Sequence, residues 1–144
     1  MEDSLNGLDS SIVVYALDPA TKEHEKSRDS ILSMQGWAIN PTVVHEAYHT
    51  LVFKRGFSSA DARLKLDALV RDRRTRFLNL TKTISLYSME LASEYSLGGR
   101  DSLILGCYLR GGIEEVLTHD RDLLRIGKLE YRGREVILRD PLAA

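Results

Sequence analysis

Turn residues cut this 144-residue chain into short units, and that punctuation constrains its fold more than any other feature. The longest purely apolar run, Ile12 to Leu17, falls far short of the roughly 20 residues that cross a bilayer, so no membrane contact is expected. Asp18-Pro19, Asn40-Pro41, Gly56, Gly98-Gly99, Gly111-Gly112 and Gly127 break the chain. Between the breaks, short apolar stretches alternate with longer segments of helical spacing. Ser4 to Asp9, Gly36 to Ile39, Arg76 to Leu80, Glu115 to Thr118 and Glu135 to Leu138 read as strands. The segments from Pro41 until Gly56, Ser58 to about Arg73, Ile84 until Gly98, Arg100 to Gly111 and His119 to Arg125 read as helices. Ile12 to Leu17 is ambiguous: its β-branched residues argue for strand, whereas a turn of helix would carry the chain off the sheet edge. Strands separated by helices pair in parallel, because an antiparallel neighbour needs only a hairpin. One α/β domain over residues 1–144, a parallel sheet flanked by helices, is therefore expected.

Twenty Lys plus Arg against twenty-one Asp plus Glu, with 43% hydrophobic residues, exclude both disorder and a wholesale polycation. The single Cys107 makes no internal disulfide, C-x-x-C pair or four-thiolate zinc site, and its place among Leu103, Ile104 and Tyr108 suits a packed core. Such cysteine usage reads as intracellular, and the opening Met1-Glu2-Asp3-Ser4 carries no basic leader, so a cytoplasmic protein is expected. No G-x-x-x-x-G-K-[ST] or G-x-G-x-x-G loop and no nucleophile elbow is present, which removes support for P-loop hydrolysis, dinucleotide binding and serine-hydrolase chemistry.

In an open parallel sheet, ligands bind outside the carboxyl ends of the strands. That rule selects Asp9, ending the first strand, and Glu46, near the start of the helix after the second strand, together with Asp101 after Gly98-Gly99 and Asp120 after Thr118. Each alone also suits a helix N-terminus, where carboxylates cap free N–H groups and meet the positive end of the dipole. Four together would repel one another, and a hard divalent cation relieves that repulsion. Oxygen ligands alone favour Mg²⁺ or Mn²⁺, the equipment for in-line phosphodiester hydrolysis.

The segments Leu8-Asp9-Ser10-Ser11-Ile12-Val13-Val14-Tyr15-Ala16-Leu17-Asp18, Pro41-Thr42-Val43-Val44-His45-Glu46, Arg100-Asp101-Ser102-Leu103-Ile104-Leu105-Gly106 and Leu117-Thr118-His119-Asp120-Arg121-Asp122-Leu123 resemble the four acidic motifs of PIN-domain ribonucleases. Within that family the chain is most similar to the VapC toxins of prokaryotic toxin–antitoxin pairs. The resemblance implies a parallel sheet of order 3-2-1-4-5, a helical Ile12 to Leu17, Mg²⁺- or Mn²⁺-dependent endoribonuclease activity, a small antitoxin partner and a homodimer. It assigns Asp9, Glu46, Asp101 and Asp120 to the metal and the catalysis, Asp122 to a more variable fifth acid, and Ser10 and Thr118 to support of the site. Ser11 departs from the pattern, since many members carry Asn there; altered hydrogen bonding around the acids is the expected consequence.

Other signals compete. His45-Glu46-Ala47-Tyr48-His49 is a literal H-E-x-x-H, the zinc-hydrolase pattern in which two histidines share a helix face and the glutamate acts as base. A catalytic zinc needs a third protein ligand, for which His119, Glu90 and Glu94 are the candidates, and this alternative leaves Asp9, Asp101 and Asp120 unexplained. A non-catalytic PIN domain that only binds RNA or protein is the other alternative, against which the intact acid set argues. Arg71, Arg73, Arg74 and Arg76 crowd a helix end, where cations complement the dipole or contact RNA phosphates. Lys22 to Arg28 mixes signs, as a solvated helix face does.

Overall fold

The computed structural model describes residues 5–143, so Met1 to Ser4, including the start of the first expected strand, lie outside the described residues. In chain order the elements are β1 (Asn6–Leu8), α1 (Ser10–Leu17), α2 (His24–Leu32), β2 (Trp37–Ile39), α3 (Pro41–Phe53), α4 (Ser59–Arg71), β3 (Thr75–Phe77), α5 (Lys82–Tyr95), α6 (Gly99–Arg110), β4 (Glu115–Leu117), α7 (Arg121–Ile126), β5 (Lys128–Tyr131) and β6 (Arg134–Arg139). They build one sheet of order β3-β2-β1-β4-β6-β5. Every pairing is parallel except that of β5 with β6.

The five expected strands are thus present in the implied order, with Glu135 to Leu138 inside β6. Two details differ. β5 was not expected: Arg132 and Gly133 both take positive φ, 52° and 79°, and close a two-residue hairpin. The alternation of Leu129 and Tyr131 against Val136 and Leu138 across that turn is the signal that reveals it. The third strand begins at Thr75 and ends at Phe77, rather than running from Arg76 to Leu80, although the Leu78 N–H still donates to the Ile39 carbonyl at 2.9 Å.

The ambiguous Ile12 to Leu17 is helical, and Ile12, Val13 and Val14 are buried. A helix satisfies its own backbone hydrogen bonds there while burying the apolar side chains. Lys22 falls in the turn before α2 instead of on its face. No helix among the described residues is long and apolar enough to cross a membrane.

Three anchors set the geometry of the carboxyl edge. Beneath β1, the Tyr108 hydroxyl lies within hydrogen-bond distance of the Leu8 and Ala38 carbonyls, tying α6 to the two central strands. That approach requires Gly7, where a Cβ would stand 2.9 Å from the Tyr108 ring. Buried Asn40 caps α3 by accepting from the Val43 N–H at 3.1 Å and donates to the Ile104 carbonyl at 3.3 Å, so the first turn of α3 is fixed against α6. Finally, Arg55 at the end of α3 donates to buried Asp18 at 2.7 Å, which fastens that end to the end of α1. Cys107 is buried, with its thiol pushed up to about 11 by desolvation, as befits a packing residue.

Candidate active site

Asp9, Glu46, Asp101 and Asp120 all line one crevice of about 600 Å³, beyond the carboxyl ends of β1, β2 and β4. Their local roles differ. Asp9 occupies the N-cap position of α1 yet makes no capping hydrogen bond. Its Oδ2 instead accepts from Thr118 Oγ1 at 2.7 Å and Ser11 Oγ at 3.2 Å, and the residue is 4% exposed. Glu46, one turn into α3, accepts from Ser10 Oγ and stands 3.7 Å from the Arg100 guanidinium. Asp101 sits in the first turn of α6, whose N-cap is Gly98. Only Asp120 is a cap in the ordinary sense, its Oδ1 accepting from the Asp122 and Leu123 N–H groups at 2.8 and 3.2 Å. The capping account of these acids therefore fits one of the four.

Burial pushes the Asp9 carboxyl up to about 6, against the lowering influence of the Thr118 and Ser10 hydrogen bonds, and the Glu46 and Asp101 charges add to the rise. Asp101 is likewise raised, first by burial and then by the charges of Asp120 and Glu46. A carboxyl raised in the fold favours the folded state while protonated, so its contribution is full below the ordinary value of 3.8 and fades as pH climbs through about 6. Without metal, the wild type should lose roughly 2 kcal/mol of stability from this group between pH 4 and 7.5, and Asp9→Asn should lack that part of the slope. Denaturant melts of both proteins across that range check the difference.

Ser10 and Thr118 both donate their hydroxyls to acids of the crevice, Ser10 to Glu46 and Thr118 to Asp9. Thr118 Oγ1 also accepts from the Asp120 N–H at 3.1 Å, so one hydroxyl links two of the acids. Ser11, the departure from the family pattern, accepts from the His119 N–H at 3.2 Å while donating to Asp9. Replacing Thr118 by Val removes a bond that holds the Asp9 carboxyl down. We expect a 10- to 100-fold loss of activity at neutral pH, of the order seen for partners of metal ligands. The acid limb of the pH–rate profile should also move upward, which a purely structural defect would not produce.

Asp122 is outside the crevice lining, exposed and paired with Arg125 at 3.1 Å. The arginine cluster is also elsewhere: Arg71 ends α4 and pairs with Asp67, while Arg74 pairs with Asp72 and stacks 4.9 Å from the Trp37 ring centre. Arg73 precedes β3 and Arg76 lies within it. Because β3, β2 and β1 run the same way, residues leading into β3 sit at the sheet edge opposite Asp9. The cations that do line the crevice are Lys22, Lys54 and Arg55. Nothing local in the sequence marked Lys54 or Arg55; their signal is helical spacing, since Glu46, Thr50 and Lys54 recur at i, i+4 and i+8 along α3.

The donor set is all oxygen, and it is open: among the described residues no three of His, Cys, Asp and Glu close together into a cage. Mg²⁺ keeps several waters and binds through few carboxylates, so an open row of acids fits such an ion. Zinc needs three or four direct protein ligands. His45 and His49 are exposed on α3, while His119 bonds Asp140 at 2.9 Å and Glu90 bonds Tyr131 at 3.0 Å, so the third-ligand candidates His119 and Glu90 are otherwise engaged.

Comparison with known proteins agrees with this architecture. The sequence matches the PIN domain family over residues 8–129. No curated protein matches it by sequence. Among solved structures it is similar to the sarcin-ricin loop cleaving toxin VapC20 of Mycobacterium tuberculosis, with a TM-score of 0.73 and 16% identity, covering 88% of this chain and 98% of that one. It is also similar to VapBC2 from Rickettsia felis bound to a promoter DNA fragment, with a TM-score of 0.66 and 17% identity over 94% and 98% of the two chains. A toxin–antitoxin complex from Klebsiella pneumoniae gives a TM-score of 0.66 at 16% identity, over 96% of this chain and 99% of that one.

Proposed function

The chain belongs to the PIN domain family, and on that premise we propose that it is a divalent-metal-dependent endoribonuclease acting as the toxin of a toxin–antitoxin pair. The observation that carries the proposal is the meeting of Asp9, Glu46, Asp101 and Asp120 in one crevice, with Asp9 buried and its carboxyl raised. These four residues would hold Mg²⁺ or Mn²⁺. When bound, such a cation supplies charge stabilisation for the phosphoryl group and lowers the pKa of water for in-line attack.

The chain's own side chains perform the positioning. Thr118 and Ser11 hold Asp9 Oδ2 in place, and Ser10 fixes Oε1 of Glu46 across the gap between α1 and α3. Asp120 spends Oδ1 on the N-terminus of α7, which orients Oδ2 without consuming it. Arg100, beside Glu46 at 3.7 Å, is placed to accept a phosphate as its partner once RNA arrives. Asp122, exposed and paired with Arg125, is not proposed as a ligand. Support for an antitoxin partner and a homodimer comes from neighbours that are themselves toxin–antitoxin assemblies. As a toxin acting on its host's own RNA, it would work in the cytoplasm.

Expression of the wild type in a bacterial host should arrest growth, and Glu46→Gln, which keeps shape but removes charge, should relieve the arrest. Growth arrest by both proteins at equal abundance would overturn the toxin assignment.

A further inference from the structure

Asp120 lies in the connection from β4, three residues long, to α7, six residues long. Elements that short leave the path between them to be fixed by side chains. Strands β4 and β6 stay in register up to Leu117 and Arg139, and the Thr118 N–H adds a final backbone bond to the Arg139 carbonyl at 2.9 Å. One residue further on, His119 Nδ1 lies 2.9 Å from Asp140 Oδ2, so a side-chain bond carries the pairing past the end of the ladder. A carboxylate only accepts, so the imidazole donates through Nδ1.

Both ends of that bond are held. Asp140 uses Oδ1 to accept from the Leu142 N–H at 2.9 Å, closing a turn around Pro141, and Lys26 of α2 donates to the Leu142 carbonyl at 3.3 Å. The His119 N–H donates to Ser11 Oγ at 3.2 Å, the same hydroxyl that donates to Asp9. The His119 ring meets that of Tyr15 edge to face, 5.8 Å between centres, and Tyr15 lines the acid crevice. His119 thus joins the crevice wall, the support of Asp9 and the turn after β6, one residue before Asp120. Its side chain is 36% exposed and that of Asp140 16%, so the bond is partly shielded from water, unlike the neighbouring Arg125–Asp122 pair at 76% and 84%.

Resting on the metal-dependent reading above, we infer that His119 and Asp140 are positioning residues that set where the Asp120 carboxylate stands among the acids. Asp120 accepts from two N–H groups of α7 through Oδ1, so Oδ2 is the oxygen it can present to a cation, and the direction of Oδ2 follows the backbone at residues 119 and 120. With the His119 ring released, the loop keeps its contacts to Thr118 and Ser11 but loses its side-chain hold on the β6 side. Looser placement lowers cation affinity, the effect expected when a hydrogen bond behind a metal-binding group is lost. This gives His119 a role that requires no zinc.

The test reads Mn²⁺ binding directly, from the paramagnetic resonance signal of the free ion, beside cleavage at graded Mn²⁺. Asp140→Ala and His119→Ala should each weaken Mn²⁺ binding about tenfold. The Mn²⁺ needed for half-maximal cleavage should rise by the same factor, with a smaller change in the maximal rate. The double variant should be no worse than either single one, because both remove one bond. His119→Asn places an amide N–H where Nδ1 stands and should bind Mn²⁺ nearly as the wild type does. Circular dichroism establishes that each variant is folded; where Asp140→Ala is not, His119→Ala against His119→Asn makes the same comparison. Wild-type affinity in the alanine variants, losses that add in the double variant, or His119→Asn as weak as His119→Ala would overturn the inference while leaving Mn²⁺ binding and cleavage by the wild type standing. A wild type that neither binds Mn²⁺ nor cleaves with it would strike the metal reading, and the inference with it.

Discussion

Asp9→Asn should reduce RNA cleavage by at least about 100-fold while leaving the fold intact. Partners of metal ligands typically account for 10- to 100-fold, and a carboxylate at the centre of the set should matter no less. Asparagine reproduces the shape of aspartate, and its carbonyl can still accept from Thr118 Oγ1, the 2.7 Å bond that ties the carboxyl edge of β1 to that of β4. What it loses is the charge. Circular dichroism and melting curves should therefore match or exceed the wild type, because a buried and raised carboxylate is removed. An active Asp9→Asn protein, shown free of contaminating nuclease, would remove Asp9 from the chemistry.

Metal should stabilise the protein strongly, and Asp101 should report it. A cation that binds only the folded state at a hundredfold excess over its Kd contributes about 2.7 kcal/mol. For a chain of this length that is a rise in Tm of roughly 8 °C. Asp101→Asn should behave in the opposite sense in EDTA. Burial and the charges of Asp120 and Glu46 raise the Asp101 carboxyl, so at neutral pH its ionised form strains the empty set, and a neutral amide relieves that strain. Loss of a favourable helix-dipole contact offsets the gain by up to about 1 kcal/mol. Because Gly98 holds the N-cap position, no capping bond is lost with it. The variant should thus melt higher than wild type in EDTA and respond much less to Mn²⁺. Equal Mn²⁺ responses would exclude Asp101 from the metal site.

Most of the architecture was legible because it is written in local rules. Asn40-Pro41 and Gly98-Gly99 stop and start helices wherever they occur, so the elements carrying Glu46 and Asp101 followed from them, and the carboxyl-edge rule then placed the acids together. The β5–β6 hairpin escaped because Arg132-Gly133 is an uncommon version of a positive-φ turn, in which arginine takes the position that asparagine usually fills. The position of the arginine cluster was hidden for a different reason. Nearness in sequence showed four positive charges but not the direction of β3, and direction puts Arg71, Arg73 and Arg74, which lead into that strand, at the opposite sheet edge from Asp9. Lys54 and Arg55 were hidden because their relation to Glu46 exists only once α3 is helical and Asp18 has drawn its end against α1. The hydroxyl of Thr118 was suspected, but its link between Asp9 and Asp120 spans strands and could not be read from spacing.

The most direct test is cleavage of an end-labelled single-stranded RNA by the purified wild type, stripped with EDTA and then supplied with one metal at a time. The account predicts no cleavage in EDTA, recovery with Mn²⁺ or Mg²⁺, and no comparable recovery with Zn²⁺. Cleavage that persists in EDTA, or that Zn²⁺ alone restores, would contradict it.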